Sequence, residues 1–155
     1  MKSKLVLAVA GVMAATTFGT AIAHEVANPA VKARQAIMQL YANNLGTLGA
    51  MAKGNVEYDA GAASAAANNL VMLTSLDQST LWPAGSDSGS DATSRALADI
   101  WTNFPDVGAK GAALAEAASA MQTAAGQDLD SLRAAMGPLG GACSGCHKAY
   151  RAPNN

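Results

Sequence analysis

Along most of this chain the apolar side chains recur at steps of three and four residues, the period of an α-helix. No stretch shows the strict alternation that marks a strand. The first run, Val31, Ile37, Met38, Tyr41, Leu45, Leu48 and Met51, predicts a helix that starts at Asn28-Pro29. Asparagine caps a helix N-terminus well, proline is tolerated at the first helical position, and Gly54 supplies a stop. A second helix is predicted from Glu57 or Asp59 to Leu76, and its first half holds mainly alanine. Residues 77–93 are rich in Ser, Asp and Gly and carry Trp82-Pro83, which predicts a loop long enough to wrap over something. A short helix is expected from Ser94 to Thr102. Pro105 can open the next one, whose Val107, Gly111, Leu114, Ala118, Met121 and Ala125 form a narrow seam. The last helix is predicted to begin near Asp128 or Asp130, with Leu129, Leu132, Met136, Leu139, Cys143, Cys146 and Tyr150 on one face. Pro138 interrupts it and is expected to kink its axis.

Four main amphipathic helices joined by short or moderate connections imply an all-α fold, an antiparallel up-down-up-down four-helix bundle. Such bundles build cofactor sites in their cores. The start of the chain reads differently. Lys2 and Lys4, the apolar run Leu5–Ala15 and Ala21-Ile22-Ala23 have the order of a secretory signal peptide and its cleavage site. The apolar run is too short to span a bilayer. Residues 1–23 are therefore expected to be removed, leaving one domain, residues 24–155, in the bacterial periplasm and not embedded in a membrane. The formal net charge is −1, and loss of Lys2 and Lys4 makes the mature chain more acidic, which argues against nucleic acid as a partner.

The chemistry concentrates in Cys143-Ser144-Gly145-Cys146-His147, which holds both cysteines of the chain. Cys-x-x-Cys-His is the attachment pattern of a c-type haem. Each thiol can form a thioether with one vinyl group, and the adjacent imidazole can take an axial position on the iron. On a helix the three side chains fall at i, i+3 and i+4 and face the same way. A thioredoxin-like pair would need a βαβ context, and a zinc site would need a second Cys/His pair; neither is visible. Gly140 and Gly141 would let the backbone approach a porphyrin edge. Only eight residues follow His147, and none is Met or His, so any sixth ligand must come from upstream. Met51, Met72, Met121 and Met136 read as core filler, leaving Met38 as the candidate. By periodicity alone, Arg34 shares a face with Met38 and Tyr41, with its stem on the core and its head in water.

Ala33-Arg34-Gln35, Ile100-Trp101 and the segment from Cys143 to Arg151 together resemble the cytochrome c′ family, the class II c-type cytochromes of bacterial periplasms. The resemblance covers the whole mature chain. It implies a left-handed four-helix bundle with one covalent haem c, often dimeric through its first two helices. It implies a five-coordinate, high-spin iron with His147 as the proximal ligand. Met38 would close the distal face, Arg34 and Gln35 would contact the haem propionates, and Arg151 would lie on the proximal face. Ser94 and Arg95 fall where relatives make further haem contacts, although this chain has Ser for Thr and no acid there. Pro138 departs from the family pattern.

The function expected on this basis is the binding of small gases such as nitric oxide or carbon monoxide, with or without electron transfer to periplasmic redox partners. An apolar distal site favours neutral diatomics. The alternative is a low-spin electron-transfer cytochrome with Met38 as the sixth ligand. Enzymatic activity such as a peroxidase is not expected, because the sequence offers no distal His–Arg pair. A homodimer is expected.

Overall fold

The computed structural model describes residues 28–153. The leader expected at residues 1–23 lies outside them. The described chain forms α1 (Pro29–Ala52), α2 (Ala60–Thr74), a 3-10 turn (Ser79–Leu81), α3 (Asp99–Thr102), α4 (Phe104–Ala125) and α5 (Leu129–Tyr150). Packing runs from α1 to α2, α2 to α4, α4 to α5 and α5 back to α1, so the four long helices close an antiparallel bundle.

The helix ends follow local chemistry. The Asn28 side chain accepts from the Ala30 N–H, Asp59 from Ala62 and Asp128 from Ser131, which caps α1, α2 and α5. At the far end of α1 the chain turns through Gly54, at φ 73°. The Gly54 N–H reaches the Met51 carbonyl and the Asn55 N–H that of Ala50, the paired bonds of a Schellman stop. Arg133 Nε of α5 donates to the Ala52 carbonyl at 2.8 Å and satisfies another of the exposed acceptors there.

Alanine sets the spacing between α2 and α4. Ala63, Ala66, Ala67 and Leu70 are buried on one helix, and Ala117, Ala118, Met121 and Ala125 on the other. The approach is close enough that a Cβ at Gly126 would collide with Ser64 Oγ. Tyr58 Oη donates to the Ala125 carbonyl at 2.9 Å and pins the entry of α2 to the end of α4. Between α1 and α2 the buried Asn44 accepts from Asn69 Nδ2 at 3.0 Å and donates to the Leu40 carbonyl, so this polar pair is satisfied.

The core is asymmetric along the bundle. Its buried cluster runs from Tyr41 to Met51 on α1, from Ala63 to Leu73 on α2, from Ala117 to Ala125 on α4 and from Leu132 to Leu139 on α5. The first halves of α1 and α4 and the last turns of α5 lie beyond it. There Met38 is 43% exposed and Phe104 45% exposed. The bundle thus has one end filled by a continuous cluster and another where, among the described residues, Val31, Ile100 and Tyr150 are the buried apolar side chains.

Three expectations are corrected. Ser94 to Ala98 are not helical; α3 begins only at Asp99. Ser94 Oγ instead donates to the Ser86 carbonyl at 2.8 Å, and Ala96 pairs with Arg151 in an antiparallel bridge, so tertiary bonds replace the helical ones. Met72 is not core filler: it is 70% exposed, because the buried face of α2 falls on Leu70 and Leu73. Val107 and Gly111 also stand outside the buried cluster, so the seam of α4 is packed only in its second half. Pro138 sits inside the last helix, as the sequence places it, and α5 runs continuously through it.

Candidate haem site

The attachment motif lies in the last two turns of α5, beyond the filled end of the core. Leu132, Leu139 and Tyr150 anchor the same helix inward, which sets its roll. Cys143, Cys146 and His147 therefore share one face, and both thiols are free and half-buried. Burial pushes both thiols above the ordinary cysteine range. Burial also holds the His147 imidazole below its ordinary value, and the charges of Arg151 and Arg95 lower it further. A neutral imidazole keeps the lone pair that an iron needs.

These groups fit a covalently held haem. Two unpaired thiols and a neutral imidazole project from one helical face outside the buried cluster of the bundle. Among the described residues no three His, Cys, Asp or Glu side chains cluster as a protein-only metal site. The bound group would supply the iron and its redox and ligand-binding chemistry; the protein supplies anchorage, an axial nitrogen and the walls.

A second set of predicted residues sits on α1 and the long loop. Arg34 is buried, and its guanidinium donates to the Leu81 carbonyl at 2.6 Å, Ser86 Oγ at 2.9 Å, the Ser86 carbonyl at 2.7 Å and Ser94 Oγ at 3.4 Å. Desolvation lowers the Arg34 pKa, and Asp91 opposes that shift. Gln35 Nε2 donates to the Thr93 carbonyl at 2.7 Å. Arg34 and Gln35 thus fasten the loop to α1. Met38, one turn further, has no place in the buried cluster.

Ser94 and Arg95 join the two sets. Ser94 faces Arg34, while the Arg95 guanidinium and carbonyl both bond to Ala152, just beyond the motif. Arg151 continues from α5 into the bridge with Ala96, and its charge acts on His147.

The sequence reading missed several contributors. Trp82 lies against Arg34, and Trp101 meets it edge-on with ring centroids 5.8 Å apart. Trp101 Nε1 donates to the Trp82 carbonyl at 3.1 Å. Trp82 had a visible signal, an aromatic next to proline in a polar loop, but nothing local named Arg34 as its partner. Tyr41 is buried, and burial, then the neighbouring Cys143, pushes its hydroxyl up to about 12. A cavity of about 420 Å³ lies between Gln78, Ser79 and Trp82 of the loop and Phe104, Val107 and Gly108 of α4.

Comparison with known proteins agrees with this geometry. The sequence model described as Cytochrome C′ matches residues 29–151. Cytochrome c-554 of Cereibacter sphaeroides is 46% identical over 121 residues, covering 78% of this chain and 79% of the relative. The structure of cytochrome c′ from Rhodobacter spheriodes superposes with a TM-score of 0.78 at 41% identity, covering 81% of this chain and 96% of that one. A carbon monoxide-bound variant of cytochrome c′ from Alcaligenes xylosoxidans superposes with a TM-score of 0.69 at 33% identity, covering 80% and 94%. The chain is a member of the cytochrome c′ family, an all-α four-helix bundle that carries one covalently bound haem c.

Proposed function

We propose that this protein is a periplasmic haem protein that binds neutral diatomic gases at a five-coordinate, high-spin iron. In this reading Cys143 and Cys146 hold the haem, His147 is the proximal ligand, and Met38 covers the distal face without ligating. Arg34 and Gln35 border the propionate edge, with Ser94 and Arg95 beside it. Arg151 lies on the proximal side.

The observation that carries the reading is the asymmetry of the bundle. Among the described residues no second histidine is present to oppose the half-buried His147, and the first half of α1, at this end, carries the exposed thioether of Met38. An apolar distal wall gives a charged ligand no hydrogen bond, so neutral diatomics are favoured. The carbon monoxide-bound relative supports the same ligand class. Residues 1–23 are read as the export signal, in keeping with attachment outside the cytoplasm. No helix of the described residues is long and apolar enough to cross a membrane.

The test is the absorption and electron paramagnetic resonance spectrum of the ferric protein, followed by titration of the ferrous form with carbon monoxide and nitric oxide. High-spin ferric iron and saturable gas binding are expected. A low-spin ferric protein whose ferrous form takes up neither gas would overturn the proposal.

A further inference from the structure

The last residue of α5 is tied to the first turn of α4. Tyr150 is buried, and its hydroxyl donates to Asp106 Oδ2 at 2.6 Å. That distance is typical of a charge-assisted O–H to carboxylate bond. The same hydroxyl accepts from Asn103 Nδ2 at 2.9 Å. Asp106 is further paired with Lys110 at 3.6 Å. On the backbone, the Leu97 N–H donates to the Tyr150 carbonyl at 2.9 Å, and the Ala152 N–H to the Arg95 carbonyl at 2.9 Å. Tyr150 is thus held from two directions, by α4 through its side chain and by residues 95–97 through its backbone.

Its place on the helix gives this meaning. Tyr150 stands three residues after His147 and four after Cys146, so all three share a face of α5. Asp106 and Lys110 are near enough to Cys146 for their charges to act on its thiol. The final turn of a helix frays readily, and its last carbonyls lack intrahelical partners. Here that turn bears the attachment residues, and its rotation about the helix axis determines where the His147 ring points.

We propose that Tyr150 is a positioning residue for the iron ligand, locking the rotation of the last turn of α5 through its bond to Asp106 and so setting the orientation and strain of the bond from His147 to iron. The inference rests on the reading of His147 as the axial ligand. Tyr150 touches neither haem nor gas in this account; it acts through His147. Its ring fills the end of the core, and its hydroxyl supplies the angular constraint.

The experiment is resonance Raman spectroscopy of the ferrous holoprotein, reading the iron–histidine stretching band, with haem content and circular dichroism as controls. Tyr150→Phe keeps the ring and removes the hydroxyl. Its band is expected to shift and broaden at unchanged haem content and helicity. Asp106→Ala removes the acceptor from the α4 side and should reproduce that shift, so the link is still read if the tyrosine variant does not accumulate. Asp106→Asn keeps an acceptor oxygen and should return the band towards the wild-type position, a rescue that loss of packing would not give. A wild-type band left unmoved by Tyr150→Phe and by Asp106→Ala overturns the positioning role while leaving His147 as ligand. A wild type with no iron–histidine band overturns the ligand reading and this inference with it.

Discussion

The guanidinium carbon of Arg34 lies 4.5 Å from the centroid of the Trp82 ring. Trp101 is also close, at 5.9 Å, so one buried cation from α1 meets two aromatic rings and three loop residues that accept its hydrogen bonds. Four donor contacts go to the loop, which is far more than a stem lying on the core would require. Periodicity alone placed the head of this side chain in water; the loop has enclosed it. The loop therefore closes over the same end of the bundle that carries the attachment motif.

Replacing Arg34 by Ala should loosen that closure. Hydrogen bonds to a charged group are worth about 1.5–3 kcal/mol each, and removal of Arg34 leaves the Ser86 and Ser94 groups without their cation. Lower thermal stability and faster amide exchange across residues 86–97 are expected. Arg34→Lys should rescue only part, since an ammonium lacks the planar fork. Arg34→Ala also removes a positive charge beside the proposed propionate edge, which should lower the reduction potential, whereas Arg34→Lys keeps that charge. Unchanged exchange and an unchanged potential would leave Arg34 with no role at the site.

Attachment of the haem has a direct chemical test. Acid-acetone treatment of the purified protein should leave the haem on the polypeptide, because thioethers survive conditions that release an axial imidazole. A Cys143→Ala, Cys146→Ala double substitution should release it. Free extraction from the wild type would contradict covalent attachment.

The alkaline limit of stability should depend on Tyr41. Its hydroxyl is raised to about 12, chiefly by burial. Thioether formation removes the Cys143 contribution and leaves burial. A group whose pKa is raised on folding stabilises the native state fully below its unfolded value, near 10, and loses that contribution as pH climbs towards 12. Denaturant unfolding should therefore show stability falling from about pH 10 upward, and Tyr41→Phe should flatten that fall. An identical pH dependence in the variant would exclude Tyr41 as the cause.

Much of the fold was legible because its determinants are local. Asn28, Asp59 and Gly54 act within four residues of themselves, and they bound α1 and α2 within a residue or two of where the apolar period places them. The shared face of Cys143, Cys146 and His147 was legible for the same reason, since about one helical turn holds all three. The misses have the opposite character. Ser94 to Ala98 have an acceptable helical sequence, yet Ser86 and the strand-like segment after Tyr150 outbid the helix with bonds that span more than fifty residues in the second case. Met72 has helical spacing but lies on the wrong side of α2, and alanine-rich helices give a weak contrast between faces. Tyr150 and Asp106 lie 44 residues apart, and no local pattern announces their bond.

Assembly can be tested on α2. Met72 is 70% exposed and Leu76 48% exposed, four residues apart in sequence, and Leu40 of α1 is 52% exposed. A homodimer using α1 and α2 would cover such side chains. Sedimentation equilibrium should show a dimer, and Met72→Glu should shift it towards monomer by placing a charge in an apolar contact. A wild type that stays monomeric at all accessible concentrations would remove this mode of assembly.

The distal face decides between gas binding and electron transfer. Met38 is one turn from Arg34 on α1, outside the buried cluster, at the end of the bundle where the attachment motif lies. A thioether is flexible and polarizable, so it can shield an iron and still move aside for a small ligand. It can also ligate iron, as it does in other c-type cytochromes. The spin state separates the two. If Met38 only covers the site, the wild type is high-spin, and Met38→Ala remains high-spin while binding carbon monoxide faster, because a steric obstacle has gone and no bond must break. If Met38 is a ligand, the wild type is low-spin with a sulfur-to-iron charge-transfer band in the far red, and the variant changes spin state. The first outcome is expected. Met38 is 43% exposed and stands outside the buried cluster, so its displacement by a diatomic costs little of the core. A low-spin wild type would move this protein from gas binding to electron transfer.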